Sequence, residues 1–546
     1  MYPMNQAIVT HFLVLQQIRP RASCPNNFQY TSLNASVDGF RISASGPNAD
    51  VTDRSGTTFS FISWVPGLAV ADTNGNGGAT DGGRGPLGNN NQSLQDNSNI
   101  SVNVSGGIVT TDLYGVPLSR DPTIVHYTDP NGSPQQIAIS YKKDVSGVFL
   151  VDAVTFPDNS AYHFTYQAPT CSSGTLPNGN IGYLGSIQLP TGGLISYSLT
   201  MSDCSASQRS TNTLARTTSD GPTTYATTSH GCNSNSSYYD LPCTTTTIAH
   251  ADSSTETVNN VPLTGLAYNL SYSGGNVETS HYWYSSSGAL MRSTMRCYNG
   301  ASGDCTTVPV SFPISQIATT ATVDSLSSKT AEYLNGANLP TEFDEYDYGA
   351  STPTRKTITV YASLGNNIQD RPSSVTIQDG NGNQISRTTY GYDEFPLASS
   401  GLPSHPITGS RGNLTSTHRW VNTTNTTIDT YNTYDDAGQL MSTKDGRGNP
   451  TLFSYDPATD SCLNSTTLPT PSSGVSIVSL QSCDTHTGLV STTTDPNDVT
   501  TAYSYDSVLH STGTTVTGVN GLAGRAPSRS ATFSGEDVAW ADRINN

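Results

Sequence analysis

Two stretches of the chain repeat one grammar at one spacing. Gly438 and Gly488 are each followed seven residues later by an aspartate, Asp445 or Asp495. Seventeen residues after each glycine stands a tyrosine, Tyr455 or Tyr505, followed at once by Asp456 or Asp506. The first copy predicts a short strand around Leu440 and a tight turn at Asp445–Asn449. A returning strand then places Thr451, Phe453 and Tyr455 on one face. The turn contains Gly446 and Gly448, and glycine and asparagine tolerate the positive φ that hairpin turns need. One unit is therefore one β-hairpin.

The pattern extends upstream. Asp379-Gly-Asn-Gly-Asn383 precedes Thr388, Tyr390, Tyr392 and Asp393, and the Tyr-Asp pairs at 392, 434 and 455 are 42 and 21 residues apart. Tyr284, Gly288 and Leu290 repeat the spacing of Tyr434, Gly438 and Leu440, where Asp435 follows the tyrosine. Pro157-Asp-Asn-Ser and Pro190-Thr-Gly-Gly each precede an alternating apolar run. From Tyr455 to Tyr505 the step is 50 residues, 29 more than one unit. The excess holds Cys462 and Cys483, so residues 457–487 read as an insertion stapled by its own disulfide, a length change that loops tolerate. This divides the chain into a leader-like or disordered start (1–27) and a β-rich region with Asn/Gly loops (28–149). Degenerate hairpins with cysteine pairs (150–330), the regular repeats (331–510) and a tail read as a truncated repeat (511–546) follow.

Composition supports hairpins. Charged residues are 12% of the chain, about half of the usual share. Thr and Tyr suit a half-wet pleated surface, and no stretch has helical periodicity of useful length. The net charge of −18 argues against nucleic-acid binding. No 18-residue apolar stretch predicts a membrane span. The opening has a short apolar run with Arg19 and Arg21 after it, the wrong side for a signal peptide. Nine cysteines occur without a C-x-x-C pair. Their spacing suggests the sequential pairs Cys171/Cys204, Cys232/Cys243, Cys297/Cys305 and Cys462/Cys483, with Cys24 left over; sequence alone leaves the connectivity open. Such pairs fit an extracellular or cell-surface location.

The order G-x-L, a D-x-x-G-N-like turn and Y-x-Y-D, at about 21 residues, resembles the Rhs/YD-repeat family of bacterial Rhs proteins, toxin-complex shell subunits and teneurins. The resemblance implies an all-β array of antiparallel hairpins forming a spiral or partial shell, without substantial helix. In several members such a shell encloses a C-terminal toxin. Asp129-Pro-Asn-Gly132 carries the letters of that family's self-cleaving element, but lies before the repeats and reads as a plain β-turn.

Other chemistry is thinly signalled. Asp72-Thr-Asn-Gly-Asn-Gly77 begins like a calcium loop, yet the twelfth position is Gly83 rather than a carboxylate. No H-E-x-x-H, G-x-S-x-G or P-loop occurs, and a scattered Ser–His–Asp site has no signature of its own. Asp344-Glu345 and Asp435-Asp436 are strand neighbours that should face opposite ways. The repeat tyrosines Tyr390, Tyr392, Tyr455, Tyr503 and Tyr505 stack on sugars in one reading and pack between hairpins in the favoured one. The expectation is a non-enzymatic secreted or surface scaffold without cofactor. Its partner would be a carbohydrate, a surface protein or an enclosed effector. The alternatives are a truncated polymorphic toxin and a carbohydrate-binding or hydrolytic surface protein.

Overall fold

The structure, a computed structural model, describes short strands between residues 41 and 121, most of residues 124–517, and two strands within 527–544. Residues 1–40, with Cys24, lie outside the described residues, as does the Asp72–Gly83 stretch. Everything described is strand, turn or irregular, with no helix. Between Arg41 and Val109 six short strands form a sequential sheet. Most of the remaining strands build a long antiparallel sheet of 29 strands, whose described pairings do not close it into a barrel; the two-residue strands Thr170–Cys171 and Val310–Ser311 pair in parallel.

One turn geometry recurs throughout. The N–H of the first residue donates to the carbonyl of the fifth, and the N–H of the fourth donates back to the carbonyl of the first. Among the described residues, eleven connections have both bonds, starting at residues 129, 156, 189, 250, 285, 335, 379, 435, 445, 495 and 506. The fourth residue must take positive φ, which glycine does at least strain. Gly448 has φ of 84°, and Asp498, at the same place in the next copy, 62°. Asp445 Oδ1 accepts the N–H groups of Arg447 and Asn449 at 2.9 and 2.8 Å. Asp495 repeats this with Asn497 and Val499. The Asp129 turn is built the same way, so Asp129–Gly132 is a β-turn here.

Two compact units divide the chain, and each is described by itself. In the first (residues 1–118, 227–394 and 405–429), antiparallel pairing sends successive connections to alternate ends of the strands. At one rim they are short, such as 285–289, 324–325 and 380–383. At the other they are longer, such as 231–242, 299–315 and 362–371. The longer rim carries both disulfides of the unit, Cys232–Cys243 and Cys297–Cys305, with Cα atoms 5.2 and 5.4 Å apart. A small core of Cys243, Val261, Leu263 and Val310 packs there with Tyr298, Phe312 and Ile314.

The second unit (119–226, 395–404 and 430–546) repeats the alternation. In its 430–517 run, Asp435, Asp456 and Asp506 stand at one rim and Asp445 and Asp495 at the other. The Tyr127 hydroxyl donates to the Ser507 carbonyl, joining hairpins 380 residues apart. Cys171–Cys204 and Cys462–Cys483 are bridged, so all four sequential pairs are joined. Residues 457–487 require a correction. They are no excursion from the sheet, because Leu463–Leu468 and Ile477–Cys483 pair with each other and with the strands on either side. The added length is one more hairpin, and its disulfide closes the end opposite its turn.

Most described strand residues are half-exposed, alternating little between faces. Apart from prolines, only a dozen apolar side chains are buried among the described residues, and four of them are half-cystines, one from each disulfide. The disulfides thus supply part of what a second packed layer would otherwise provide.

Candidate functional site

The signature residues meet in a clasp at each hairpin. Tyr284 pairs with Leu290 and Tyr434 with Leu440, in each case the first pair below the turn. This accounts for the spacing Tyr-x-x-x-Gly-x-Leu, whose glycines Gly288 and Gly438 take positive φ of 81° and 91°. The second tyrosine of each repeat reaches across its partner strand. Tyr455 Oη donates to the Leu440 carbonyl at 3.1 Å, and Tyr505 Oη to the Val490 carbonyl at 2.8 Å. Tyr392, Tyr361, Tyr298 and Tyr166 make equivalent bonds to Pro372, Pro340, Glu278 and Val151. Burial, above all, pushes the Tyr392 hydroxyl up to about 12. Tyr390 pairs with Thr417 across the ladder, and Tyr503 Oη lies 3.3 Å from Thr493 Oγ1.

After Tyr392, Tyr455 and Tyr505 the next residue is an aspartate that holds the following connection. Asp393 accepts three backbone N–H groups, from Arg411, Gly412 and Asn413. Asp506 accepts those of Val508 and His510, and Asp456 that of Ala458. Between Tyr390 and Tyr392, a Cβ at Gly391 would lie 2.4 Å from the Glu394 carboxyl, so any larger residue would have to displace that side chain. That carboxylate accepts the hydroxyls of Thr415 and Ser416 at 2.9 and 2.6 Å. Gly488 has φ of 72° in the connection after Cys483.

A polar network on one face of the first unit carries no sequence signature. A bulge at Thr279–Ser280 shifts the register, so Glu278, His281 and Trp283 share a face despite their uneven spacing. Glu256 Oε1 lies 2.9 Å from His250 Nε2, and Oε2 lies 2.6 Å from His281 Nε2. The His281 ring stacks on Trp283 at 3.7 Å, and the Arg292 guanidinium lies 4.9 Å from that ring. Arg296 pairs with Glu278 at 2.5 Å. Burial works to raise the Glu256 carboxyl, but the hydrogen bonds and charges of His250 and His281 outweigh it and hold the group below its ordinary range. Glu256 spends both oxygens on imidazoles, and the Trp283 ring is in contact with both His281 and Arg292.

Two buried carboxylate sites differ in what neutralises them. Asp344 is 2% exposed, and Lys356 Nζ lies 3.4 Å from it and 2.6 Å from Glu342. Its neighbour Glu345 instead faces Arg355, so the adjacent acids point opposite ways. Asp435 and Asp460 are 1% and 6% exposed, and each has an Oδ2 atom without a hydrogen-bond partner. Asp436, beside Asp435, turns instead to accept the Ser400 N–H at 2.7 Å. Among the described residues no cluster of three or more His, Cys, Asp or Glu is arranged to hold a metal ion, and no helix is long and apolar enough to cross a membrane.

Together these features define an all-β hairpin-ladder protein with disulfide-tied connections. No protein-family model and no curated protein matches the chain. Among solved structures, it is similar to a chain of TcdB2-TccC3 without its hypervariable C-terminal region, at 9% identity and a TM-score of 0.40, over 87% of this chain and 32% of that one. A chain of TcdB2-TccC3-TEV matches at 11% identity and a TM-score of 0.21, over 93% and 27%. A porin-like protein from Bacteroides uniformis matches at 8% identity and a TM-score of 0.17, over 50% and 93%. This chain spans about a third of the TcdB2-TccC3 chain, and likenesses this distant carry no activity over to it.

Proposed function

We propose that this chain is a non-catalytic scaffold of the Rhs/YD kind, secreted or displayed at a cell surface. Its sheet serves as a wall around, or a platform for, a protein partner. The observation that carries this reading is a recurring set of local ties: one turn geometry at eleven described connections, a tyrosine–carbonyl bond at six strands, and an aspartate-held connection after three of those tyrosines. Such ties support sheet extension and leave both faces of the strands half-exposed. Four disulfides suit an oxidising compartment. The polar clusters fit the same reading, because their hydrogen bonds run to one another and to turns.

The test is to express the chain with export to an oxidising compartment, then to combine electron microscopy with a substrate panel of esters, peptides and glycosides. A β-wall one strand thick, with no turnover on the panel, is the expected result. Turnover abolished by one Ser, His or Asp substitution in a chain that still folds would overturn it. Sequencing the DNA on both sides of the reading frame separates a free-standing scaffold from one wall of a larger delivery shell.

A further inference from the structure

Asp435 and Asp460 lie at the same rim of the second unit, in neighbouring connections. Asp435 Oδ1 is committed to the N–H groups of Ala437 and Gln439, at 3.0 and 2.8 Å. Its carboxyl lies within hydrogen-bonding reach of that of Asp460, and the Oδ2 atom of each is buried with no donor. Asp460 occupies a left-handed position, φ 53°, inside the turn 456–462. There its N–H donates to the Asp456 carbonyl at 2.7 Å and its own carbonyl accepts Gln439 Nε2 at 2.9 Å. The turn ends at Cys462, half of the disulfide to Cys483. On the other side, Ala398 bridges the backbone of Tyr434 and Asp436, and Ser400 caps the Asp436 carboxylate.

We propose that Asp460 carries a proton that it donates across to Asp435, and that this hydrogen bond locks the turn 456–462 onto the neighbouring Tyr-Asp turn, releasing it when the proton is lost. Two buried acceptor oxygens with no donor between them repel if both are ionised, and a single proton turns that repulsion into a hydrogen bond. The charges acting on Asp460 are those of Asp435 and Asp436, and Tyr455 is the other titratable group facing the pair. All are acids, so nothing there plays the part that Lys356 plays beside Asp344. Burial first, then the Asp435 charge, pushes Asp460 up to about 7 from an ordinary 3.8. The folded-state value is raised, so the lock is fully present below about 3.8 and is lost as pH rises through about 7.

Hydrogen exchange of the whole chain across residues 456–462 and 398–402 reads the lock directly, once corrected for the intrinsic pH dependence of exchange. The opening equilibrium should rise by up to about tenfold per pH unit between roughly pH 5 and 7, then level off. Asp460→Asn should flatten that rise. Infrared spectra should show a protonated carboxyl band near neutral pH in the unsubstituted chain and none in Asp460→Asn; Asp435→Asn serves if that variant fails to fold. Opening independent of pH, or absence of the carboxyl band, would overturn the proposal. So would protection restored at high pH by added calcium alone, because the pair would then be a cation site.

Discussion

The two rims of the first unit are made by the same strands and differ in almost every other respect. At the short-turn rim, connections of two to eight residues close the hairpins. Among the described residues of the unit, seven of nine exposed large apolar side chains stand there, including Leu290, Met291, Val323, Leu326 and Tyr348. The long-loop rim has both disulfides and the buried Cys243–Val261–Leu263–Val310 core. Short self-satisfied turns do much of the closing at the first rim: residues 250–254, 285–289 and 379–383 have the turn with one left-handed residue, and 324–325 has two left-handed residues. Long connections have more entropy to lose and need covalent and apolar ties to offset it. The lesson is that a one-layer sheet concentrates its tertiary stabilisation where its chain is least regular.

That contrast can be broken by experiment. Reducing both disulfides of the first unit should have the largest effect, about 3 kcal/mol for each closed loop. Loss of hydrogen-exchange protection should begin at the long-loop rim, and uniform loss at both rims would dissolve the distinction. Next, Tyr455→Ala should destabilise its hairpin by about 2–4 kcal/mol through lost aromatic packing. Tyr455→Phe, which removes only the bond to the Leu440 carbonyl, should cost about 1 kcal/mol. Urea melts followed by exchange at residues 440–455 compare the two; equal losses would mean that the hydroxyl carries the whole contribution. At the short-turn rim, Leu326→Ser should change stability by no more than about 0.5 kcal/mol while reducing binding of an apolar dye. Smallest of all is an acid effect at the Asp495 turn. Backbone N–H groups, Val499 first, hold its carboxyl below the ordinary 3.8. Its contribution is therefore present above that value and fades as pH falls through the depressed one, and Asp495→Asn should remove this dependence from an acid titration.

Much of the ladder was legible in the sequence because a hairpin unit is local. Gly438, Asp445 and Tyr455 sit within one unit, and their spacing reports strand length and turn type. The four cysteine pairs were also legible, since a ladder places sequential cysteines near the same rim. Residues 457–487 misled because spacing counts residues and not strands: an added hairpin and a loop insertion lengthen the interval equally. The rest depended on contacts that no motif encodes. Glu278, His281 and Trp283 share a face only through the bulge at Thr279–Ser280. Asp435 and Asp460 are 25 residues apart, and each sits in an ordinary turn sequence. What brings them together is the register of the intervening hairpin, and what isolates them from solvent is packing.

The alternation of rims also has an arithmetical consequence. Rungs of the antiparallel ladder are gained only in even steps; the two-residue strands Thr170–Cys171 and Val310–Ser311 pair in parallel and leave its alternation untouched. The extra hairpin between Tyr455 and Val490 added two strands, so Asp506 still stands at the rim occupied by Asp435 and Asp456. One additional strand would reverse the direction of everything after it and carry each later Tyr-Asp turn to the opposite rim. Parity is thus a constraint on how such a protein diversifies: segments can be gained or lost in pairs at many places, and hardly anywhere singly.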